Sequence, residues 1–92
     1  MAKLEKDFEK LWELEDAWHL KVNKRTKTKS MKIGLKDGRY LKLIYFTGSD
    51  IMIYCVFDSY QKDRDGSDGM VEDGCLSCYN EVMEIIKRYN NE

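Results

Sequence analysis

Three cysteines and a single histidine are the residues of this chain with the clearest potential for metal or thiol chemistry. Cys75 and Cys78 form a CxxC motif, and Cys55 and His19 complete a Cys₃His set of the kind found in structural zinc sites. A CxxC motif at a helix start also suits thiol exchange, but redox motifs of this form directly follow a strand. The cysteines also lie among apolar residues, where a thiol packs as a small hydrophobe. A structural-zinc module is therefore the third of three hypotheses, and we expect no cofactor.

Two further groups of polar residues suggest calcium binding and acid/base catalysis, but each lacks part of the pattern that this chemistry requires. Residues 63–69, DRDGSDG, look like a calcium loop, but an EF-hand counted from the first aspartate needs glycine sixth and glutamate twelfth, where this chain has Asp68 and Gly74. Glu15 and His19 lie one helical turn apart and could act as an acid/base pair. No serine or cysteine has a spacing that ties it to this pair, so we expect a protein that is not an enzyme.

Charge is strongly segregated along the chain. Residues 21–42 contain nine basic residues and one acid, Asp37, in a protein whose formal net charge is −1. Such a segment shapes the electric field around a small protein and hence its choice of partner. The partner expected for it is a protein with an acidic or mixed-charge surface, or a nucleic acid.

Length and composition are typical of a small protein that folds in water. The 92 residues suffice for one domain with a modest core, and 42% of them are hydrophobic and 36% charged. The N-terminus is acidic and amphipathic where a secretory signal is continuously apolar, and no apolar run approaches the length of a membrane span. An odd number of cysteines favours reduced thiols. We therefore expect a cytoplasmic protein without a membrane partner.

Hydrophobic periodicity predicts a single α+β domain over residues 1–92 with the element order αβββα. Apolar residues recur every three or four positions in the first and last segments, and they alternate with other residues in the middle of the chain. Residues 23–30 contain no apolar side chain and indicate an exposed basic connection. The expected elements are a helix over residues 3–22, an antiparallel meander of strands over 31–36, 39–47 and 50–58, an acidic loop over 59–74, and a helix over 75–90.

The alternation of side chains between the two faces of a sheet selects the register of the three predicted strands. A three-residue loop with Gly38 in the left-handed conformation pairs Leu35 with Arg39 and gathers the aliphatic residues on one face, whereas a two-residue turn would pair like charges. A primed two-residue turn at residues 48–49 then sets Arg39 opposite Asp58. The expected register therefore gives the sheet one continuous aliphatic face.

The opposite face of the predicted sheet is basic along its first strand and apolar toward its third. Monomers rarely expose contiguous apolar patches beyond roughly a few hundred Å². We therefore expect the second helix, a second copy of the chain or another protein to cover this face. It carries Lys32, Lys36, Tyr40, Lys42, Ile44, Phe46, Ile51, Ile53, Cys55 and Phe57.

The leading hypothesis is a small, non-enzymatic intracellular protein that acts through a protein–protein interface. Its size and its lack of catalytic apparatus suit an inhibitor, immunity protein or regulator of the kind found on mobile elements, and a homodimer is a variant of the same hypothesis. Aromatic residues would anchor the partner, and the basic segment would orient it and raise the association rate. The expected partner-binding residues are Trp12, Lys24, Arg25, Lys27, Lys29, Lys32, Lys36, Tyr40, Lys42, Phe46 and Phe57.

The alternative hypothesis is nucleic-acid binding by the basic segment, residues 21–42. Lysine and arginine supply the sequence-independent part of nucleic-acid affinity. The predicted order αβββα resembles that of double-stranded-RNA-binding domains, which recognise the shape and backbone of a duplex. Those domains carry lysines at the start of their second helix, where this chain has Glu72 and Asp73 followed by the CxxC motif. The resemblance is therefore one of topology alone.

Overall fold

Within residues 3–91, the part of the chain that the computed structural model describes, two helices and five strands follow one another in the order αβββββα. The strands form one antiparallel sheet in which each strand pairs with the next along the chain. The predicted α+β class is confirmed, whereas the predicted αβββα order with a three-stranded meander is wrong. The elements are α1 Lys3–Leu11, β1 Ala17–Asn23, β2 Thr28–Gly34, a short 3₁₀ turn Lys36–Gly38, β3 Arg39–Phe46, β4 Ile51–Lys62, β5 Asp68–Leu76 and α2 Tyr79–Asn90.

The helix predicted over residues 3–22 is wrong in its second half. α1 ends at Leu11, and the backbone N–H groups of Leu14 and Ala17 each donate to the carbonyl three residues earlier, which closes two tight turns. From Ala17 onward the chain pairs with β2 instead of continuing the helix. Helical spacing of apolar residues is a local signal, and backbone pairing with a neighbouring strand overrides it here.

The basic connection predicted over residues 23–30 is a hairpin. The side chain of Asn23 accepts hydrogen bonds from the backbone N–H groups of Arg25 and Thr26, which stabilises the turn between β1 and β2. β2 already begins at Thr28, three residues before the predicted start at residue 31, and it ends at residue 34 instead of 36. The lysines of this segment therefore lie in the hairpin turn and on β2.

The acidic loop predicted over residues 59–74 is also wrong, because most of it is a second hairpin. β4 continues through Lys62, β5 begins at Asp68, and the backbone N–H of Asp63 donates to the Ser67 carbonyl across the turn at 2.8 Å. Glycine and aspartate have low β propensity, which hides these strands from a sequence reading.

The second helix begins four residues later than predicted. β5 extends through Leu76, so α2 starts at Tyr79 instead of residue 75. Glu72 on β5 accepts a hydrogen bond from the Tyr54 hydroxyl at 2.6 Å and pairs with Arg88 of α2 at 2.5 Å. These contacts attach the C-terminal half of α2 to the sheet.

The predicted register of the central strands is confirmed. Arg39 lies opposite Asp58, the Leu35 N–H donates to the Arg39 carbonyl at 2.9 Å, and Gly38 has a φ of 76° as the three-residue loop requires. The primed turn predicted at residues 48–49 is wrong. There a four-residue loop places the left-handed conformation at Asp50, with a φ of 53°.

Gly38→Ala is expected to destabilise the fold more than Gly66→Ala. Both glycines have left-handed backbones, with φ values of 76° and 85°, which cost an alanine about 1 kcal/mol. A methyl group at Gly38 would also overlap the ring of Tyr60, whereas nothing lies within 4 Å of one at Gly66. Urea denaturation should therefore give a loss of about 1 kcal/mol for Gly66→Ala and a distinctly larger loss for Gly38→Ala. Equal losses would contradict the packing of this loop.

Both helices pack on the same face of the sheet. α1 contributes Leu4, Phe8 and Leu11 to the core, and α2 contributes Val82, Ile85 and Tyr89. The helices pack against the aliphatic face of the sheet, which was predicted from the alternation of side chains along the strands. Its buried members are Met31, Ile33, Leu41, Leu43, Tyr45, Met52 and Val56, and Leu76 of β5, which was predicted in the second helix, joins them.

Candidate binding face of the sheet

Because α1 and α2 share one side of the sheet, no described helix covers the other side. We call this surface the open face. Of the three covers expected from the sequence, the second helix is therefore ruled out. The strand register assigns to the open face Trp18, Lys21, Asn23, Thr28, Ser30, Lys32, Gly34, Tyr40, Lys42, Ile44, Phe46, Ile51, Ile53, Cys55, Phe57, Met70, Asp73 and Cys75.

Three aromatic side chains form a contiguous cluster at one end of the open face. The ring of Tyr40 lies 5.5 Å from that of Phe57 in a stacked arrangement and 6.3 Å from that of Trp18 in an edge-on arrangement. The Lys32 ammonium lies 5.3 Å from the centre of the Tyr40 ring. Trp18 is 41% exposed, so the cluster presents ring surface to solvent. It can therefore offer a flat apolar contact to a ligand.

The hydroxyl group of Tyr40 is held in place by an acid of the second hairpin. It donates to the Asp68 carboxylate at 2.6 Å. Burial of the ring, together with this hydrogen bond and the negative charge of Asp68, raises the pKa of Tyr40 to about 12. Tyr40 is therefore neutral at physiological pH, and its ring orientation is set by β5.

Aliphatic side chains occupy the opposite end of the open face. Ile44 lies across from Ile53 and Phe46 across from Ile51, on the two central strands β3 and β4. Ile51 is 45% exposed, and the other three are half-buried. The two ends together make an apolar band along β3 and β4, which is continuous through Cys55 on β4 and interrupted by Lys42 on β3.

A β-bulge in β1 builds a basic cavity beside the aromatic cluster. The register of β1 shifts between Trp18 and Lys21, and His19 within the bulge has a φ of 63°. A bulge changes the direction in which its side chains point. His19 here shares a cavity of about 120 Å³ with side chains of the open face. The cavity is lined by His19, Lys21, Ser30, Met31, Lys32 and Lys42.

The lysines around this cavity act on the imidazole of His19. The positive charge of Lys21 is the main cause that lowers its pKa, and desolvation and the charges of Lys32 and Lys42 lower it further. His19 is therefore more often neutral at pH 7 than an ordinary histidine. The direction of this pKa shift indicates a positive local potential.

The open face brings together five of the predicted partner-binding residues: Lys32, Tyr40, Lys42, Phe46 and Phe57. The others lie elsewhere. Lys24, Arg25 and Lys27 are exposed in and beside the turn between β1 and β2.

Three predicted partner-binding residues are engaged with or placed in the rest of the fold. Lys29 pairs with Glu9 at 2.9 Å and Glu5 at 3.2 Å on α1, so its charge faces the helices. Lys36 lies in the 3₁₀ turn, off the strand on which it was predicted, and its backbone N–H donates to the Asn90 side chain. Trp12 continues the last turn of α1 in the helix layer and is 40% exposed. Of these three, only Lys36 was predicted on the sheet face that carries Tyr40, and that placement is wrong.

Sequence reasoning missed Trp18, His19 and Lys21 as surface neighbours of Tyr40, because it placed all three on a helix. The segment AWHLKVN carries aromatic and β-branched residues and ends in an asparagine suited to a turn. Those signals favour a strand and could have identified this part of the face.

The structure does not assemble the predicted zinc set. Cys55 on β4 is separated from His19 on β1 by two intervening strands, and Cys75 lies on β5. Cys78 is the N-cap residue of α2, in the helix layer, with its thiol 3.6 Å from a carboxylate oxygen of Glu81. Among residues 3–91 no group of three histidine, cysteine or acidic side chains is placed to hold a metal ion.

The thiol of Cys55 lacks the setting of a reactive cysteine. Burial raises the pKa of the Cys55 thiol, the charge of Asp73 raises it further, and Lys42 opposes both. The loop predicted before the CxxC motif is wrong, because β5 runs directly into the motif: Cys75 is paired within the strand and Cys78 is the N-cap residue of α2. Cys55 therefore behaves as a small apolar member of the open face.

Neither helix in the described part of the chain has the length and apolar character needed to cross a membrane. In comparisons with protein-family models, curated proteins and solved structures, no match to this chain was found.

Proposed function

We propose that the open face is a protein–protein interface and that the chain acts by binding, without catalysis, as an inhibitor, immunity protein or regulator in the cytoplasm. The observation that carries this proposal is the uncovered apolar band along β3 and β4. Its centre is formed by Ile44, Ile53, Phe46 and Ile51, which extend toward the ring of Phe57. An apolar patch of this kind on a small monomer marks an interaction site.

The composition of the face supports a protein partner. Aromatic residues and large aliphatic residues form the buried centres of protein interfaces, and charged residues lie at their rims. Here the apolar band is flanked by Lys32 on β2 and by Asp73 on β5. A partner with an acidic or mixed-charge surface would complement this arrangement.

A second copy of the chain would also complement the face. Lys32 and Asp73 lie at the two ends of one cross-strand row, with Lys42 and Cys55 between them, next to the row that holds Ile44 and Ile53. A two-fold axis parallel to the strands, between β3 and β4, would set Lys32 of one copy over Asp73 of the other, Ile44 over Ile53, and Lys42 over Cys55. Homodimerisation is thus the self-complementary version of the same interface.

The proposal is tested by comparing what immobilised wild-type chain and an Ile53→Glu variant retain from cells of the natural source. Val22→Glu is the matched control, because Val22 is 59% exposed and its cross-strand partner is Lys29, which faces α1. We expect a protein, or further copies of the chain, to be retained by wild type and by Val22→Glu but not by Ile53→Glu. Equal retention by all three would refute an interface on the open face.

Single-stranded nucleic acid is a second candidate, favoured by the contact of Trp18, Tyr40 and Phe57 beside Lys32. Open sheet faces that bind single strands combine stacking rings with lysines. The topological resemblance to double-stranded-RNA-binding domains is lost, since the element order on which it rested is wrong.

This second candidate predicts that a single-stranded oligonucleotide binds the chain and that affinity falls steeply with salt. Tyr40→Ala should weaken binding by about 1–3 kcal/mol, the usual value of one stacked base. Fluorescence anisotropy at two salt concentrations is the measurement. No binding even at low salt would remove this candidate.

A further inference from the structure

The cavity at the bulge of β1 concentrates donors and positive charge that the rest of the fold does not use. Lys21, Lys32 and Lys42 come from three adjacent strands, and the bulge adds the imidazole of His19. Ser30 lines the same cavity of about 120 Å³. Five residues whose side chains carry donor groups thus line one small space.

Four lysine and arginine side chains elsewhere in the fold are paired with carboxylates. Lys29, Arg39, Lys62 and Arg88 each pair with an aspartate or glutamate. Among residues 3–91, by contrast, Lys21, Lys32 and Lys42 form no ion pair within 4 Å, although Lys32 lies over the Tyr40 ring and its charge acts on the carboxylate of Asp68. Like charges held together in this way repel one another, and a bound anion would remove that repulsion.

We propose that this cavity is a binding site for the phosphate group of a phosphate ester. A phosphate group offers several acceptor oxygens in a tetrahedral arrangement, which suits donor side chains carried by three different strands and a bulge better than the two coplanar oxygens of a carboxylate. The ring of Trp18 stands on the same cross-strand row as Lys32, so the organic part of the ester can lie on it. The site goes beyond the proposed protein interface, because the aliphatic pairs that carry the interface lie outside the cavity.

The proposal is tested by titrating the intact chain with inorganic phosphate and following its amide and imidazole signals by NMR. Saturable shifts at the bulge and at Lys32 and Lys42 are expected. Lys32→Met and Lys42→Met should each weaken binding at least about tenfold, because each removes a charge-assisted donor. Lys24→Met is the matched control, since Lys24 is exposed beside the hairpin turn and does not line the cavity, and it should leave affinity nearly unchanged.

A second readout does not depend on variants. The groups that face His19 are Lys21, Lys32 and Lys42, which lower its pKa. A bound dianion would offset their charge, so phosphate should raise the pKa of His19 in the wild-type chain. Shifts that do not saturate, an unchanged pKa of His19, or an equal loss of affinity in Lys24→Met would overturn the proposal.

The source of the phosphate group is identified by titrating adenosine monophosphate and a short single-stranded RNA in parallel. Tighter binding of the mononucleotide, with a change in Trp18 fluorescence, supports a nucleotide ligand. Still tighter binding of the RNA supports a strand, and equal affinity for all three supports recognition of the phosphate group alone. Absence of binding of all three refutes the site. These titrations do not depend on whether immobilised wild type or Ile53→Glu retains a partner. The phosphate site and the protein interface can therefore be refuted separately.

Discussion

Leu43→Ala is expected to lower the free energy of unfolding by about 2–5 kcal/mol, the usual cost of removing a large aliphatic side chain from a packed core. Ile44→Ala, one residue further along β3, is expected to cost only about 1 kcal/mol. Leu43 is 0% exposed beneath the helices, whereas Ile44 is half-buried on the open face. Adjacent residues of one strand should thus differ several-fold in their contribution to stability.

Urea denaturation of both variants and of the wild type measures this difference, at a protein concentration where sedimentation gives a monomer. The loss at Leu43 would consume a large part of the roughly 5–15 kcal/mol that stabilises a typical domain. Comparable losses for Leu43→Ala and Ile44→Ala would mean that the second face is also buried within the isolated chain. That outcome would contradict the two-layer arrangement.

Ile53→Glu is expected to weaken partner binding by about 100-fold or more while leaving the chain folded. In the free protein a glutamate at residue 53 stays in contact with water, so its effect on the fold is limited to lost apolar contact with Ile44. In a complex the same carboxylate would be buried against apolar groups without a partner, which costs several kcal/mol. Loss of binding without loss of fold is the signature of an interface residue.

Circular dichroism and a melting curve establish that the variant is folded, and isothermal titration with the captured partner gives the affinity. If the partner is a second copy, sedimentation velocity over a range of concentrations replaces the titration. Val22→Glu introduces the same charge on the other side of the sheet and should bind as the wild type does. A variant that binds normally would move the interface away from the open face.

The central strands could be predicted from the sequence because their signals are local and mutually consistent. Alternation of aliphatic and other residues in β3 and β4, the lysine–aspartate–glycine loop before Arg39, and the charge pair with Asp58 all select one register. That register then identified Tyr40, Phe46 and Phe57 as residues of one face. For these strands, the alternation of side chains between the two faces of the sheet was enough to predict the register.

The outer strands could not be predicted in the same way. Leu14, Trp18 and Val22 have helical spacing, and only the pairing of β1 with β2 shows that the segment after α1 is extended. β5 is rich in glycine and aspartate, which are poor strand formers, and it is held by cross-strand contacts such as the bond from Tyr40 to Asp68. Both edge strands, β1 and β5, are therefore extended because of their contacts with other strands and not because of their local sequence.

The candidate site was affected by the same limitation. The basic segment was visible as a charge count, but its division depends on the fold: Lys29 faces α1, Lys24 lies beside a turn, and Lys32 faces outward. His19 entered the sequence reading as a zinc ligand or a base. The bulge that places it beside Lys32 has no sequence signature, because a register shift of this kind is set by the neighbouring strand.

The cysteines provide the most direct test of the claim that the open face is the binding surface. Cys55 and Cys75 lie on this face, whereas Cys78 caps α2 in the helix layer and serves as an internal control. The rates at which a small thiol reagent labels the three residues are measured by mass spectrometry, in the free chain and in the complex with its captured protein or second copy. We predict that labelling of Cys55 and Cys75 slows at least about tenfold in the complex while that of Cys78 is unchanged, since burial excludes the reagent. Protection of Cys78 with unchanged labelling of Cys55 and Cys75 would contradict the assignment of the interface to the open face.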